Sequence, residues 1–275
     1  MSGPKTDSTG QIVKREVPQH DAIALLGRMK TEIARALPKH ITAERMSRIA
    51  LTALRSTPAL LECTTSSVLG SIMSAAQLGL EPNTPLGLSY LVPYGKTCQL
   101  IIGYQGYLEL ARRSGIVSLP QAMIVRDGDR FKVRLGLNPD IQHEPAEDDL
   151  RDSRPWTHVY AFAHPLPKDS APPVFVVLTR AQVMARKNRN GAVRKGRASA
   201  WDTDEDAMAM KTAIRALWRW LPKTAEMATA SALDEHADLG TAQSDAWNPE
   251  FVDVMRREGV ECEVVDSETG EVREA

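Results

Sequence analysis

An α+β fold is what this sequence predicts, on three observations. Apolar residues recur at three- and four-residue steps near the start of the chain and again late in it. Short β-type runs separated by turn residues fill the middle, and strands and helices do not alternate regularly along the chain. The architecture expected is a group of N-terminal helices, a central antiparallel sheet built from hairpins, and a long C-terminal core helix.

The elements follow in order. Ile23, Leu26, Met29, Ile33 and Leu37 form one amphipathic stripe that Pro38 ends. Thr42 is placed to cap a second helix whose apolar stripe is Met46, Ile49, Ala50 and Leu54, with Pro58 just past its end. A third helix is predicted from Ser66 to Leu78 and stopped by Gly79. Leu88 to Val92 and Cys98 to Ile102, joined through Pro93, Tyr94, Gly95 and Lys96, read as a hairpin, and a short helix from Gln105 to Ser114 comes next. Ala122 to Arg126 and Phe131 to Leu135 flank Asp127-Gly128-Asp129 and read as a second hairpin. Strands are expected at Thr157 to Ala163 and Val174 to Leu178, and the last core helix from Thr203 to Leu221, buried through Met210, Ile214, Leu217 and Leu221.

Three segments are expected: a mobile arm at 1–17, rich in Ser, Thr, Gly and charge; a core at 18–232; and an acidic, disordered tail at 233–275 for partner contacts. The polar start MSGPKTDSTG has no apolar signal core, and no run reaches the roughly 18 apolar residues of a membrane span, so a cytoplasmic protein is expected. The net charge of −1 conceals an asymmetry. From Arg180 to Arg197 stand seven basic residues and no acidic one, whereas from Asp245 to Ala275 ten acidic residues face three arginines. The basic segment suggests a polyanionic partner. Cys63, Cys98 and Cys262 are too scattered for a zinc site or a disulfide framework and read as two buried thiols and one tail thiol.

Several chemical motifs fail on inspection. Gly95-Lys96-Thr97 resembles the end of a phosphate-binding loop, but Tyr90 stands where the required glycine would be, and a β-type run rather than a helix follows. Asp127 and Asp129 are what a tight turn selects, although the pair also suits a metal. No constellation of carboxylates or histidines marks a catalytic centre, so neither a metal nor another cofactor is expected.

Three regions do suggest a site. Lys211, Arg215 and Arg219 follow at four-residue steps on the last core helix with no carboxylate at the intervening turns, which reads either as a solvated face or as a row aimed at phosphates. The loop from Arg186 to Arg197, with Lys187 and Arg189, is an ordinary exposed loop or one that orders over nucleic acid. Residues 79–115 combine Tyr90, Tyr94, Tyr104 and Tyr107 with Lys96 at a hairpin tip and the pair Arg112 and Arg113. Tyrosines beside cations are the composition of a single-strand groove, and equally of a half-buried strand.

The stretches PKHITAERMSRIALTALRSTPAL, AAQLGLEP, LVPYG, LIIGYQGYLELARRSG and MKTAIRALWRWLP resemble, in this order, the RecT family of phage recombinases over roughly residues 36–222. The resemblance implies ATP-independent binding of single-stranded DNA and annealing of complementary strands. It also implies a curved-sheet core distantly similar to eukaryotic single-strand annealing proteins, assembly into rings or filaments, and an exonuclease and a host single-strand-binding protein as partners. By position it assigns Tyr104 to the family's GY(K/R)G turn, Arg112 and Arg113 to its LARRSG helix end, and Lys211 and Arg215 to its basic helix. Gln105 departs from the usual cation of that turn, and Met210 and Ala216 from the outer basic residues of that helix. With Lys96, Arg126, Arg186, Lys187, Arg189 and Arg219, the residues Tyr104, Gln105, Arg112, Arg113, Lys211 and Arg215 make up the expected DNA site, and Mg²⁺ is expected to modulate binding by screening phosphates. A metal-dependent nuclease and a passive strand-protecting protein are the competing classes.

Overall fold

The computed structural model describes residues 21–167, 171–188, 200–239, 241–244, 247, 249–260, 263–265 and 272–274. The expected arm at 1–17 and the basic loop that contains Arg189 lie outside the described residues. The chain is α+β, with N-terminal helices and antiparallel sheets.

The first amphipathic stripe forms two helices, α1 (Asp21–Arg28) and α2 (Lys30–Ala36), broken at Met29. The break is slight, because the Met29 amide still reaches Leu25 and the Ile33 amide still reaches Met29. Leu37 is extended, as a residue before proline must be. Thr42 caps α3 (Ala43–Ser56) by accepting from the Arg45 amide. The central helix α4 (Thr65–Leu78) is buried on nearly every side and ends at Gly79, whose φ of 61° supplies the left-handed cap. Its small residues let two neighbours come close. Ser67 Oγ accepts from the Cys98 amide and Ser71 Oγ donates to the Cys98 carbonyl, so strand backbone lies on the helix. At Gly70 any side chain would strike the Trp247 ring, 2.3 Å from the position of a Cβ.

The strand lying on α4 is β2 (Thr97–Ile102), paired with β1 (Ser89–Tyr94) in the expected hairpin. Gly95-Lys96-Thr97 is thus a hairpin tip, with Gly95 at φ 61°. Helix α5 (Tyr104–Ser114) follows. The second expected hairpin is corrected: β3 (Gln121–Arg126) pairs with β6 (Trp156–Ala163), and β4 (Arg130–Arg134) pairs with β5 (Asp140–Glu144). The cause is Asp129. Its side chain is fully buried and accepts from the Arg126 and Ala146 amides, from both ends of the Arg151 guanidinium fork and from His143, which turns β4 away from β3. Five donors fill both carboxylate oxygens, so this residue anchors a turn.

Strand β7 (Val174–Thr179) completes a three-stranded sheet in the order β3-β6-β7 and leads into α6 (Arg180–Lys187) through a capping box on Thr179. After the short α7 (Ala200–Thr203), helix α8 (Glu205–Trp218) backs this sheet. The buried face of α8 is Ala209, Ala213, Ile214, Leu217 and Trp218, with Leu221 beyond, while Met210 is only half-buried. The face is rotated from the expected one because the two alanines let the helix lie close to the strands.

The boundary expected at residue 232 falls inside α9 (Ala225–Leu239) and is corrected. Leu233, Asp234, Ala237, Gln243, Trp247, Phe251, Met255 and Val260 are all buried, the last four packed with α10 (Pro249–Arg257) against the common core. Two short strands, β8 (Glu263–Val265) and β9 (Val272–Glu274), pair beyond it. The reason the sequence misleads is compositional: acidic residues outnumber the apolar ones that anchor the segment. Gln243 shows how tightly it is bound. Its amide nitrogen donates to the Leu100 and Leu233 carbonyls and its oxygen accepts from the Leu100 amide, which completes the free edge of β2 as another strand would. Gln243→Ala leaves those buried groups unpaired and is expected to cost about 1–3 kcal/mol, measured by urea denaturation.

Candidate nucleic-acid interface

The turn that joins β2 to α5 is built by glycine. A Cβ at Gly103 would lie 2.0 Å from the Gly87 carbonyl oxygen, and one at Gly106 2.1 Å from that of Leu88. The chain entering β1 therefore crosses directly over the first turn of α5, a close approach that only glycine permits. Above this crossing, Gly87 sits at φ 65° with the Tyr90 hydroxyl and the Gln105 side chain converging on it. Gln105 is exposed and Tyr90 is 43% exposed. Tyr104, by contrast, is half-buried and packs on the core.

Along β1, Leu91 faces inward, so Tyr90, Val92 and Tyr94 share the outward side of the hairpin. Two phenol rings thus lie in line, about 13 Å apart along the strand, between Gln105 at the base and exposed Lys96 at the tip. Next to Gly87 in the chain, exposed Leu86 and half-buried Thr84 border a shallow groove whose far wall is Arg45 and Arg48 of α3. Arg45 is held by both oxygens of Glu81, which keeps its guanidinium fixed and raises its pKa. Arg48 is exposed and makes no ion pair among the described residues. Tyr90 belongs to the region that the sequence marks, whereas Arg48, Thr84 and Leu86 do not. The period of α3 was the available signal, since Arg48, Thr52 and Arg55 all lie opposite its buried Met46, Ala50 and Leu54.

Several expected contacts are otherwise engaged. Lys211 and Arg215 face Asp234 of α9, at 3.6 and 3.4 Å, and Arg215 also reaches Asp238. This corrects the premise of an uncompensated stripe: the carboxylates come from the next helix. Asp234 is 2% exposed and also accepts from the Tyr107 hydroxyl at 2.8 Å and the Ile102 amide at 3.0 Å. Burial alone would push this carboxyl up, but Lys211, Arg215, Tyr107 and Ile102 together hold it below its ordinary value. Arg126 is 14% exposed, bonded to the Arg154 carbonyl and the Asp206 carboxylate. Arg113 is largely buried and donates to the Leu78 carbonyl at 2.6 Å, closing the end of α4. Arg112 is exposed and forked onto Glu109.

The remaining expected residues are distributed. Lys187 ends α6 with its ammonium 5.7 Å from the centre of the Trp201 ring, and Arg186 is half-buried beside it. Arg219 is exposed next to Trp220, itself 72% exposed. The structure therefore joins Lys211 and Arg215 to Tyr107 through Asp234, and places Lys96, Tyr90 and Gln105 on one separate strip. Burial raises the thiol of Cys63 to about 11 and that of Cys98 to about 12, so neither is a thiolate at neutral pH.

A strip of outward phenol rings with a lysine at its tip and an arginine-walled groove beside it, carried on an α+β scaffold, defines a protein suited to a polyanion with stackable bases. The family model described as the RecT family matches residues 44–246. The chain is 41% identical over 247 residues to Protein RecT of Escherichia coli (strain K12), covering 86% of this chain and 88% of that one. It is 30% identical over 190 residues to Uncharacterized protein YqaK of Bacillus subtilis (strain 168), covering 68% and 63% respectively. The chain belongs to the RecT family, and membership implies single-strand annealing in recombination.

Two outcomes follow from the Asp234 cluster. Asp234→Asn strands Lys211, leaves Arg215 with Asp238 alone, and is expected to cost about 3–5 kcal/mol. Because the folded carboxyl titrates below its unfolded value of about 3.9, its contribution is complete above that pH and disappears as pH falls through the folded value. Urea melts of both proteins should therefore differ most near neutrality and converge in acid. Lys211→Ala with Arg215→Ala leaves the carboxylate unpaired, so calorimetry should show a lower melting temperature while the salt slope of DNA binding stays unchanged.

Proposed function

We propose that this protein binds single-stranded DNA and pairs it with its complement without hydrolysing ATP, acting as an oligomer, in a ring or helical filament, during phage recombination in the bacterial cytoplasm. The observation that carries this reading is the strip on the β1–β2 hairpin, where Tyr90 and Tyr94 stand between Gln105 and Lys96, beside the Arg48 groove. Rings in line about 13 Å apart suit two bases of one extended strand that are not adjacent, and Lys96 and Arg48 suit phosphates.

Annealing needs no reacting side chain, because base pairing drives it, at about 1.4 kcal/mol per stacked step. The slow part is bringing two like-charged strands into register. A surface that neutralises phosphates and holds one strand extended lowers both obstacles and leaves base edges free for the second strand. The Gly95-Lys96-Thr97 segment, at a hairpin tip, has no helix to present to a nucleotide's phosphates, which supports the ATP-independent reading. Mg²⁺ acts by screening phosphates, with no fixed protein site proposed. An exonuclease that generates the strand and the host single-strand-binding protein are the partners proposed, and the annealed duplex is the product held.

Mixing two complementary labelled oligonucleotides with the protein, without nucleotide, tests this. Faster pairing is expected. Shortened strands would mark a nuclease instead, and slowed pairing a passive protecting protein. If each subunit neutralises about four phosphates, the logarithmic salt dependence of binding to single strands should have a slope near −3, at about −0.7 per phosphate.

A further inference from the structure

The β4–β5 hairpin stands apart from the strip just described. Its inner side is anchored. Phe131 stacks on Tyr160 at 5.7 Å and lies 5.3 Å from His158, while His143 meets both Phe131 and Tyr160 edge-on at 5.6 Å. His143 also bonds to the buried Asp129 and to the Tyr160 hydroxyl. Since a carboxylate only accepts, Nε2 of His143 donates to Asp129, and in the neutral ring Nδ1 accepts from Tyr160. The base of the hairpin is therefore a fixed post.

Its outer side and tip are different. Arg130, Lys132 and Arg134 alternate along β4 on the exposed side, facing Glu144, Gln142 and Asp140 of β5. Arg130 pairs loosely with Glu144, and Asp140 bonds to Gln142. Lys132 and Arg134 make no ion pair among the described residues. Beyond them the chain turns through Leu135-Gly136-Leu137-Asn138-Pro139, where Leu135 is 75% and Leu137 101% exposed, and Gly136 sits at φ 114° with open space around it. Two leucines held in water at the end of a rigid, cationic hairpin pack on nothing among the described residues.

We infer that this hairpin is a DNA finger: Lys132 and Arg134 lie against phosphates of the bound strand, and Leu135 or Leu137 enters between two adjacent bases, unstacking them and holding the strand extended. Charge favours this occupant over a second copy of the chain. The outer side of the hairpin carries only polar residues, so a subunit contact here would have little apolar area beyond two side chains, far below the roughly 800 Å² per partner of a stable interface. A wedge between bases needs only one or two apolar side chains, with cations on the backbone beside them. The inference rests on the annealing reading and adds to it a device for opening the stack.

The test uses the full chain and a single-stranded oligonucleotide containing 2-aminopurine, whose fluorescence rises when it is unstacked. Wild-type protein should raise the signal on binding. Leu135→Ser with Leu137→Ser should remove most of that rise and weaken binding about five-fold or less, because the lost burial of one leucine side chain is largely offset by the base stacking regained while the phosphate contacts remain. Melting temperature and oligomer mass should not change, since both side chains are already in water. Lys132→Ala with Arg134→Ala should instead lower the salt slope by about 1.4, at about 0.7 per phosphate. An undiminished rise in the leucine variant overturns the finger, and so does a smaller oligomer, which would make the tip a subunit contact. Wild-type protein that fails to bind the oligonucleotide overturns the annealing reading and the finger with it, whereas binding with the rise retained in the variant overturns the finger alone.

Discussion

The buried carboxylate of Asp234 is the constraint on which the arrangement of the core depends. A charge taken out of water must be paired and hydrogen-bonded, and here the partners come from three other elements: the Ile102 amide from β2, the Tyr107 hydroxyl from α5, and Lys211 with Arg215 from α8. Only one placement of the hairpin against α8 and α9 delivers all four at once. The same joint carries the edge of the Tyr107 ring onto Trp218, with centroids 5.0 Å apart at 84°. Positions on α5, α8 and the end of β2 are therefore set together, and the glycine crossing at Gly103 and Gly106 is set with them.

This division of labour explains why basic residues in this chain have such different fates. Those on α8, α5 and the end of β3 meet carboxylates or helix-end carbonyls, and their charge is consumed in holding elements together. Cations with no ion pair among the described residues stand at the tip of one hairpin, on the outer side of another, in the groove beside α3 and at the end of α8. Both hairpins share a plan. Each is fixed on its inner side by buried polar groups, Ser67, Ser71 and Gln243 for β1–β2 and Asp129 for β4–β5, and the first turns Lys96, the second Lys132 and Arg134, outward. A rigid carrier with its charge facing solvent suits a partner that is itself a flexible polyanion, because the ordering cost then falls on the strand alone.

The same logic extends the core past the acidic boundary. Asp234 and Gln243 are polar, and in a segment where carboxylates are frequent they read as solvent-facing. In the structure Asp234 is the counter-ion of α8 and Gln243 stands in for a missing strand at the edge of β2. Trp247 reaches its place only because α4 carries Gly70 there. A helix of small residues and serines, read alone, has no obvious reason for its composition. With backbone on one side and an indole on another, small size is what the packing demands.

Local rules determined much of this protein from the sequence. Thr42 and Gly79 cap their helices as their types require, Pro38 ends the first stripe, Gly95 turns the first hairpin, and the α+β class follows from where helical period gives way to β-type runs. The stretches around AAQLGLEP, GYQG and KTAIR carried the family. Tertiary structure alone decided strand partnership and the state of each charge. The Asp127-Gly128-Asp129 turn looks the same in sequence whether its strands pair with each other or with distant ones, and the buried donors around Asp129 selected the second. Likewise, a cation on a helix face carries no mark of whether a carboxylate from another helix will meet it. Burial and pairing depend on residues remote in the chain, as Lys211 and Asp234 are, and that is why the site was less legible than the fold.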